Sequence, residues 1–204
     1  LISARGPIAI AMALAGIGGS IWLGGRAQES YILSNLPYNS VSGDGMEVIP
    51  LFIFMGVFAS FSGLSTNLYN AVQALIGHRR GGIAMATIGA SAVFGAICGS
   101  SLATVATIGR VAMPEMRARG YSDSLSAASV AAGGTLGVLI PPSIILILYA
   151  LMTRNSIGAL FAAALVPGLL ATALYMSAIL VQVTRHPALG PAGKRQTFAE
   201  RGKA

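Results

Sequence analysis

Charged residues are scarce in this chain. Only 9% of the 204 residues are Asp, Glu, Lys or Arg, whereas a soluble domain carries about 25%. Hydrophobic residues make up 54% of the chain, and the mean hydropathy is +0.74. A chain so poor in charge cannot cover a water-facing surface, which excludes an ordinary soluble domain. The composition therefore predicts an all-α membrane protein with several spans.

Residues that support catalysis or metal binding are also few. The only cysteine, Cys98, excludes an internal disulfide and is expected to be a small apolar filler. His78 and His186 lie beside arginines in polar turns and are expected to be solvated. No nucleophile has a base at a similar depth, so an intramembrane enzyme is not expected. The apolar stretches contain no carboxylate or Lys, which disfavours a proton relay and favours ion binding by backbone and hydroxyl oxygens.

The apolar stretches divide the chain into segments. Residues 1–63 are predicted to form a scaffold of two transmembrane helices, over 7–23 and 48–63. Residues 64–82 combine an amphipathic interfacial helix with a basic turn. The next segment, 83–156, contains two interruptions. A last transmembrane helix covers 157–183, with Pro167 as an expected kink, and a cytoplasmic basic linker covers 184–204.

Both interruptions lie inside apolar sequence. Residues 83–113 contain Gly99-Ser100-Ser101, a run that breaks a helix or caps a new one, and we predict a re-entrant helical hairpin there. Residues 124–152 contain a glycine-rich stretch, 133–137, that leads to Ile140-Pro141-Pro142-Ser143, and we predict a discontinuous helix. Such breaks line solute and ion sites in transporters. Small residues also serve ordinary helix packing, which is the alternative explanation.

The net charge is +7, but the basic residues lie between apolar stretches, so we expect no nucleic-acid partner. The positive-inside rule instead tests the topology. With a hairpin at 83–113, two basic residues lie outside, Arg26 and Arg154. Eleven lie inside: Arg5, Arg79, Arg80, Arg110, Arg117, Arg119, Arg185, Lys194, Arg195, Arg201 and Lys203. A single crossing would weaken this asymmetry. Residues 110–123 are then a charged connector, where Arg110 and Glu115 can pair.

Several motifs, in this order, also resemble a known family. They are Ile49 to Phe52, Gly77 to Gly82, Gly99 to Gly109, Met113 to Met116, Gly120-Tyr121, Gly133 to Gly137, Ile140 to Ser143, Tyr149, Ser156 to Phe161, Pro167-Gly168 and Arg185 to Pro191. The chain closely resembles the large membrane subunit of tripartite ATP-independent periplasmic (TRAP) transporters, over its N-terminal half. The resemblance implies one repeat of an inverted-repeat, elevator-type carrier in a bacterial inner membrane. It also implies sodium-coupled import of an organic acid, such as a C4-dicarboxylate or sialic acid.

The resemblance also assigns residues and partners. It places Gly99, Ser100, Ser101 and Thr104 at the hairpin tip and Thr135, Gly137, Pro141, Pro142 and Ser143 at the broken helix. Ser100 and Ser101 are the expected sodium ligands, and no cofactor is implied besides this coupling ion. The implied partners are a small membrane subunit, a periplasmic binding protein, lipid and the second half of the large subunit.

The chain departs from the family in its length, which is about half that of the large subunit. The tail resembles the linker between the two halves, so the second hairpin and second broken helix are expected to lie elsewhere. Two alternatives to the importer therefore stay open at this stage. One is a truncated fragment that only binds a partner subunit, and the other is a sodium and organic-anion carrier that works without a binding protein. A channel would need a continuous polar face on long helices, which the sequence does not show.

Overall fold

The computed structural model describes residues 10–22, 34, 38 and 48–191, and the described segments are helical. The helices are α1 (Ile10–Trp22), α2 (Val48–Phe61), α3 (Leu64–Ile76), α4 (Gly82–Cys98), α5 (Ser101–Ala118), α6 (Asp123–Leu139), α7 (Ile144–Thr153) and α8 (Ile157–Arg185). A short 3-10 helix, Pro187–Leu189, follows. Helix α1 falls in a first compact unit, Leu1–Glu47, and the others fall in a second, Val48–Ala204.

Two stretches are long and apolar enough to cross a membrane. They are the α6–α7 pair, Asp123–Thr153, and α8, Ile157–Arg185. Helices α2 and α3 pass the same test only together, as a pair bent by 66°. Helix α2 has 14 residues, about 21 Å of rise, which is less than the hydrocarbon thickness of about 30 Å. These elements confirm the all-α membrane fold, while the prediction that residues 1–63 hold two separate spans stays a prediction.

Helix α4 lies at the centre of the second unit. Almost all of its residues are buried, among them Ile83, Ile88 and Phe94. It packs against α2, α3, α5, α6 and α8, and Val93 is its only exposed residue. A helix that is apolar and buried all round suits the core of a bundle rather than its edge.

Helices α4 and α5 form a hairpin whose two ends meet. The Ile83 amide, at the start of α4, donates a hydrogen bond to the Tyr121 hydroxyl, 3.4 Å away and just beyond α5. Near the end of α5, the Gln73 side chain donates to Glu115 Oε1 at 3.2 Å. The chain therefore returns to the end of the bundle from which α4 started, as the hairpin prediction requires. We call this end the base and the opposite end of the hairpin the tip.

Two predicted boundaries are wrong. The connector predicted at 110–123 is mostly helical, since α5 continues through Pro114 to Ala118. The burial of Ala112 and Met116 on either side of Pro114 holds α5 in the core despite the missing amide. The glycine-rich stretch 133–137 lies inside α6, which is regular to Leu139, so the second break is confined to residues 140–143.

The polar groups at the base also differ in part from expectation. Glu115 pairs with Arg119 at 2.6 Å, one turn along α5, and not with Arg110. Arg117 pairs with Asp123 at 2.7 Å. His78 is half-buried rather than solvated, and its Nδ1 has no hydrogen-bond partner among the described residues. The base therefore contains two ion pairs and, among the described residues, a buried imidazole nitrogen without a hydrogen-bond partner.

Candidate functional site

The hairpin tip is a tight turn of two residues. Helix α4 ends at Cys98, and Gly99 has a left-handed backbone with a φ of 60°, which glycine adopts without steric cost. Ser100 caps α5, because its hydroxyl accepts a hydrogen bond from the Ala103 amide at 3.4 Å. The Thr104 hydroxyl donates to the Ser100 carbonyl oxygen at 2.8 Å. The helix break predicted at Gly99-Ser100-Ser101 is thus confirmed.

The second break touches the tip of the hairpin. A Cβ atom at Gly99 would lie 2.9 Å from the Pro142 carbonyl oxygen and 3.4 Å from the Ile144 amide nitrogen. The Pro141–Pro142 peptide bond is cis, and Ser143 is fully buried and caps α7. Two interruptions that are far apart in the sequence therefore form a single region of irregular backbone.

Four helix ends meet in this region. The C-termini of α4 and α6 lie here, and so do the N-termini of α5 and α7. Pro141 and Pro142 have no amide hydrogen, so the carbonyl oxygens of Gly137 and Val138 lack their usual partners four residues on. Carbonyl oxygens of this kind suit a hard cation, and the free amides at the two N-termini suit an anion. The region can therefore hold a cation and a carboxylate close together.

A seam of small residues holds the hairpin against α6. On α4, Ser91 and Gly95 are one turn apart, and on α6, Gly133 and Gly137 have the same spacing. A Cβ atom at Gly95 would collide with the Cα atom of Gly137, and one at Gly133 would lie 2.8 Å from the Ser91 Cβ. Small residues at this spacing let helix backbones approach closely in membranes. The seam fixes the height of the tip relative to the break in the α6–α7 pair.

Helix lengths locate this region along the bundle. Helix α6 has 17 residues and α7 has 10, which correspond to about 25 Å and about 15 Å of rise. The break is therefore about 25 Å from the base and about 15 Å from the other end. A bilayer is about 40–45 Å thick with its headgroups, so a crossing by the α6–α7 pair would put the break in the membrane interior.

Most of the predicted site residues lie at this meeting point, and one does not. Gly99, Ser100, Thr104, Gly137, Pro142 and Ser143 are joined by the contacts above, and Pro141 precedes them in the break. Thr135 lies on another face of α6, where its hydroxyl donates to the Ala132 carbonyl at 2.7 Å and lies 3.4 Å from the Tyr175 hydroxyl of α8. Two residues along a helix turn the side chain by about 200°, which separates Thr135 from Gly137.

Ser101, Gly95 and Val138 are the remaining residues of this region. The Ser101 side chain is half-buried and makes no hydrogen bond with another described residue. Gly95 and the carbonyl of Val138 were not predicted as parts of this region. The equal spacing of Ser91 and Gly95 on α4 and of Gly133 and Gly137 on α6 is the signal for Gly95. The paired prolines are the signal for the Val138 carbonyl.

A small cavity opens beside the tip, towards α2. Its volume is about 200 Å³, and its walls include Gly56 and Ser60 of α2 together with Cys98, Ser100 and Ile144. Within the described part of the chain, no group of three or more His, Cys, Asp or Glu side chains could hold a metal ion. A cation at the tip would therefore be held by backbone and hydroxyl oxygens.

Comparison with known proteins gives a consistent result. Residues 1–202 match the family described as the tripartite ATP-independent periplasmic transporter, DctM component. The chain is 40% identical over 158 residues to the C4-dicarboxylate TRAP transporter large permease protein of Pseudomonas aeruginosa, covering 76% of this chain and 37% of that protein. It is 43% identical over 164 residues to the isethionate TRAP transporter permease protein of Oleidesulfovibrio alaskensis, covering 80% of this chain and 26% of the relative.

A third relative is named for another solute. The sialic acid TRAP transporter permease protein of Haemophilus influenzae is 35% identical over 129 residues, which cover 63% of this chain and 21% of the relative. The aligned regions thus cover 37%, 26% and 21% of the length of these three curated relatives. The relatives are named as permeases and not as enzymes.

Proposed function

Because the chain belongs to the DctM component family of tripartite ATP-independent periplasmic transporters, we propose that it forms part of the large membrane subunit of a sodium-coupled importer. The proposed cargo is an organic acid together with sodium ions. The observation that carries the proposal is the close approach of Gly99 to Pro142 and Ile144, which brings together two helix breaks that lie in apolar sequence. Unpaired backbone groups at such a depth cost several kcal/mol each unless they serve a cavity or a ligand.

The two kinds of helix end suggest how the cargo would be held. The carbonyl oxygens of Gly137 and Val138, with the hydroxyls of Ser100 and Ser101, offer a set of hard oxygen ligands for sodium. The amides at the N-termini of α5 and α7 offer donors to a carboxylate. Binding of the two charges next to each other lets each stabilise the other, which would couple solute affinity to sodium concentration.

The solute class is proposed from the relatives. Their names refer to C4-dicarboxylate, isethionate and sialic acid, all of which are organic anions at neutral pH. A site with backbone amides at two helix N-termini is suited to the shared acidic group and does not select among these molecules. We propose that selection lies with a periplasmic binding protein and that a small membrane subunit completes the assembly.

Further parts of the large subunit are needed in this proposal. The described residues contain the hairpin of α4 and α5 and the break between α6 and α7, and in this proposal they offer one side of a binding site. The relatives are more than twice as long as their aligned regions. We propose that a second hairpin and broken helix, from the rest of the large subunit, close the site in a multi-pass protein of the bacterial inner membrane.

The test is sodium-dependent uptake by the complete transporter in reconstituted vesicles. Ser101→Ala is the main variant, because Ser101 makes no hydrogen bond that the fold would lose. Ser100→Ala removes both a proposed ligand and a helix cap. We expect each to raise the sodium concentration for half-maximal uptake by about tenfold, the equivalent of losing one modest ligand. An unchanged sodium dependence in both variants would contradict the proposal.

Ser156→Ala provides the matched control. Ser156 caps α8 by accepting a hydrogen bond from the Ala159 amide at 3.4 Å, the same length as the cap at Ser100. It is exposed and lies outside the meeting point of the breaks. We expect its loss to lower stability slightly without changing the sodium dependence, which separates a capping effect from a ligand effect.

A further inference from the structure

Three exposed arginines at the base are available to bind an anion, as far as the described residues show. Arg79 and Arg80 lie in the turn between α3 and α4, and Arg185 is the last residue of α8. None of them forms a salt bridge with another described residue, whereas Arg117 and Arg119 at the same end are paired. Within the described part of the chain, the base therefore carries positive charge, from the turn and from α8, that no ion pair compensates.

The turn and the end of α8 are in contact. A Cβ atom at Gly81 would lie 3.0 Å from Val183 Cγ2 and 3.3 Å from Ile179 Cγ2. Gly81 directly follows Arg80, and Arg185 is two residues beyond Val183. The three arginines thus come from adjoining pieces of chain, although they are distant in sequence.

The exposed surface of α8 next to these charges changes from mostly apolar to polar towards the base. An open groove of about 680 Å³ runs beside the helix. Away from the base it is lined by Leu174, Ala178 and Val181 together with Tyr175 and Ser177, and near the base by Gln182, Arg185 and His186. Leu174 and Val181 are about half exposed. Mostly apolar side chains followed, towards the base, by polar ones that include the cation of Arg185 match the order of acyl chain and headgroup in a phospholipid.

We propose that Arg79, Arg80 and Arg185 bind the headgroup of an anionic phospholipid whose acyl chain covers the groove beside α8. The occupant is inferred from charge complementarity. Basic clusters next to membrane helices attract anionic lipids, whereas a zwitterionic headgroup offers no net charge to compensate three arginines. The bound lipid would tie the turn at the start of α4 to α8. This site is distinct from the tip of the hairpin and does not depend on which solute is carried.

The test compares lipid binding by the purified chain and by charge variants. Native mass spectrometry with phosphatidylglycerol measures the apparent affinity, and phosphatidylcholine measures the background. For Arg79→Gln combined with Arg80→Gln we expect the apparent phosphatidylglycerol affinity to fall by about thirtyfold. Arg185→Gln should lower it by about fivefold, and phosphatidylcholine binding should stay the same.

Arg154→Gln is the matched control. Arg154 is exposed, has no salt bridge with a described residue and lies at the opposite end of the bundle, between α7 and α8. It should keep the wild-type affinity for phosphatidylglycerol. An equal loss in Arg154→Gln would mean that net charge alone attracts the lipid, which would overturn the proposal. Equal binding of the two lipids by the wild-type chain would also overturn it and would point instead to an acidic protein as the occupant of the base.

Discussion

Replacing Gly95 by alanine tests the seam that holds the hairpin tip. A Cβ atom at this position would collide with the Cα atom of Gly137 and lie 2.9 Å from its backbone nitrogen. Backbone atoms in a helix cannot rotate away as the end of a flexible side chain can. The two helices would therefore have to separate at the point where the two breaks meet.

The size of the effect follows from two opposing terms. Alanine is a better helix former than glycine by about 1 kcal/mol, whereas overpacking a tight interface costs about 1–3 kcal/mol. Because the clash is with backbone on the facing helix, we expect the upper part of that range and a net destabilisation of about 2 kcal/mol. Gly158→Ala is the control, since the nearest atom to its Cβ would be Ser156 Oγ at 3.9 Å.

The assay is thermal unfolding of the two variants in the same detergent, followed by circular dichroism. Gly95→Ala should unfold about 5–10 °C below Gly158→Ala. Gly158→Ala should be equal to the wild type or slightly more stable, because it gains helix propensity without a new contact. Equal unfolding temperatures for the two variants would refute the close approach of α4 and α6 at Gly95 and Gly137.

Three further changes probe other parts of the hairpin. Gly99→Ala should destabilise the chain more than Gly120→Ala, although both have positive φ, because only Gly99 would contact Pro142; unfolding temperatures give the comparison. Tyr121→Phe should cost about 1–2 kcal/mol and speed hydrogen exchange at Ile83, whose buried amide loses its acceptor. Burial raises the pKa of the Tyr121 hydroxyl above its ordinary value of 10.0. The contribution of this hydroxyl to stability should therefore be complete below pH 10.0 and lost as the pH rises through the raised pKa. A phenolate absorbance titration follows the ionisation. Arg117→Gln should cost less than about 0.5 kcal/mol, since the side chains of this pair are 61% and 72% exposed, and a denaturant titration checks this.

Local chemistry was sufficient to predict the two breaks. Glycine followed by serine marks the turn at Gly99-Ser100, because one residue supplies a left-handed backbone and the next caps a new helix. Two consecutive prolines end α6 because they remove two amide donors. The charge asymmetry then indicated that the hairpin returns to its starting end, and the hydrogen bond between Ile83 and Tyr121 agrees with that.

Glycines without a neighbouring proline do not distinguish a helix break from close packing between helices. Residues 133–137 were predicted to belong to the break, yet they lie in regular helix because their role is close packing against Ser91, Gly95 and Val105. Nothing in the neighbouring sequence separates these roles, since the partner residues lie on other helices. The same limit applies to Thr135, which is near Gly137 in the sequence but faces α8. The end of α5 was misplaced because burial of Met116 outweighs the local effect of Pro114.

The central claim is that residues 83–113 enter the membrane and return to the same face. Single cysteines at Arg80, Ser124 and Asn155, in a background with Cys98→Ser, test it directly with a membrane-impermeant thiol reagent in oriented vesicles. All three positions are exposed, and the chain has no other cysteine. We predict that Arg80→Cys and Ser124→Cys react from one side and Asn155→Cys from the other. Labelling of Arg80→Cys and Ser124→Cys from opposite sides would contradict the hairpin and, with it, the site at its tip.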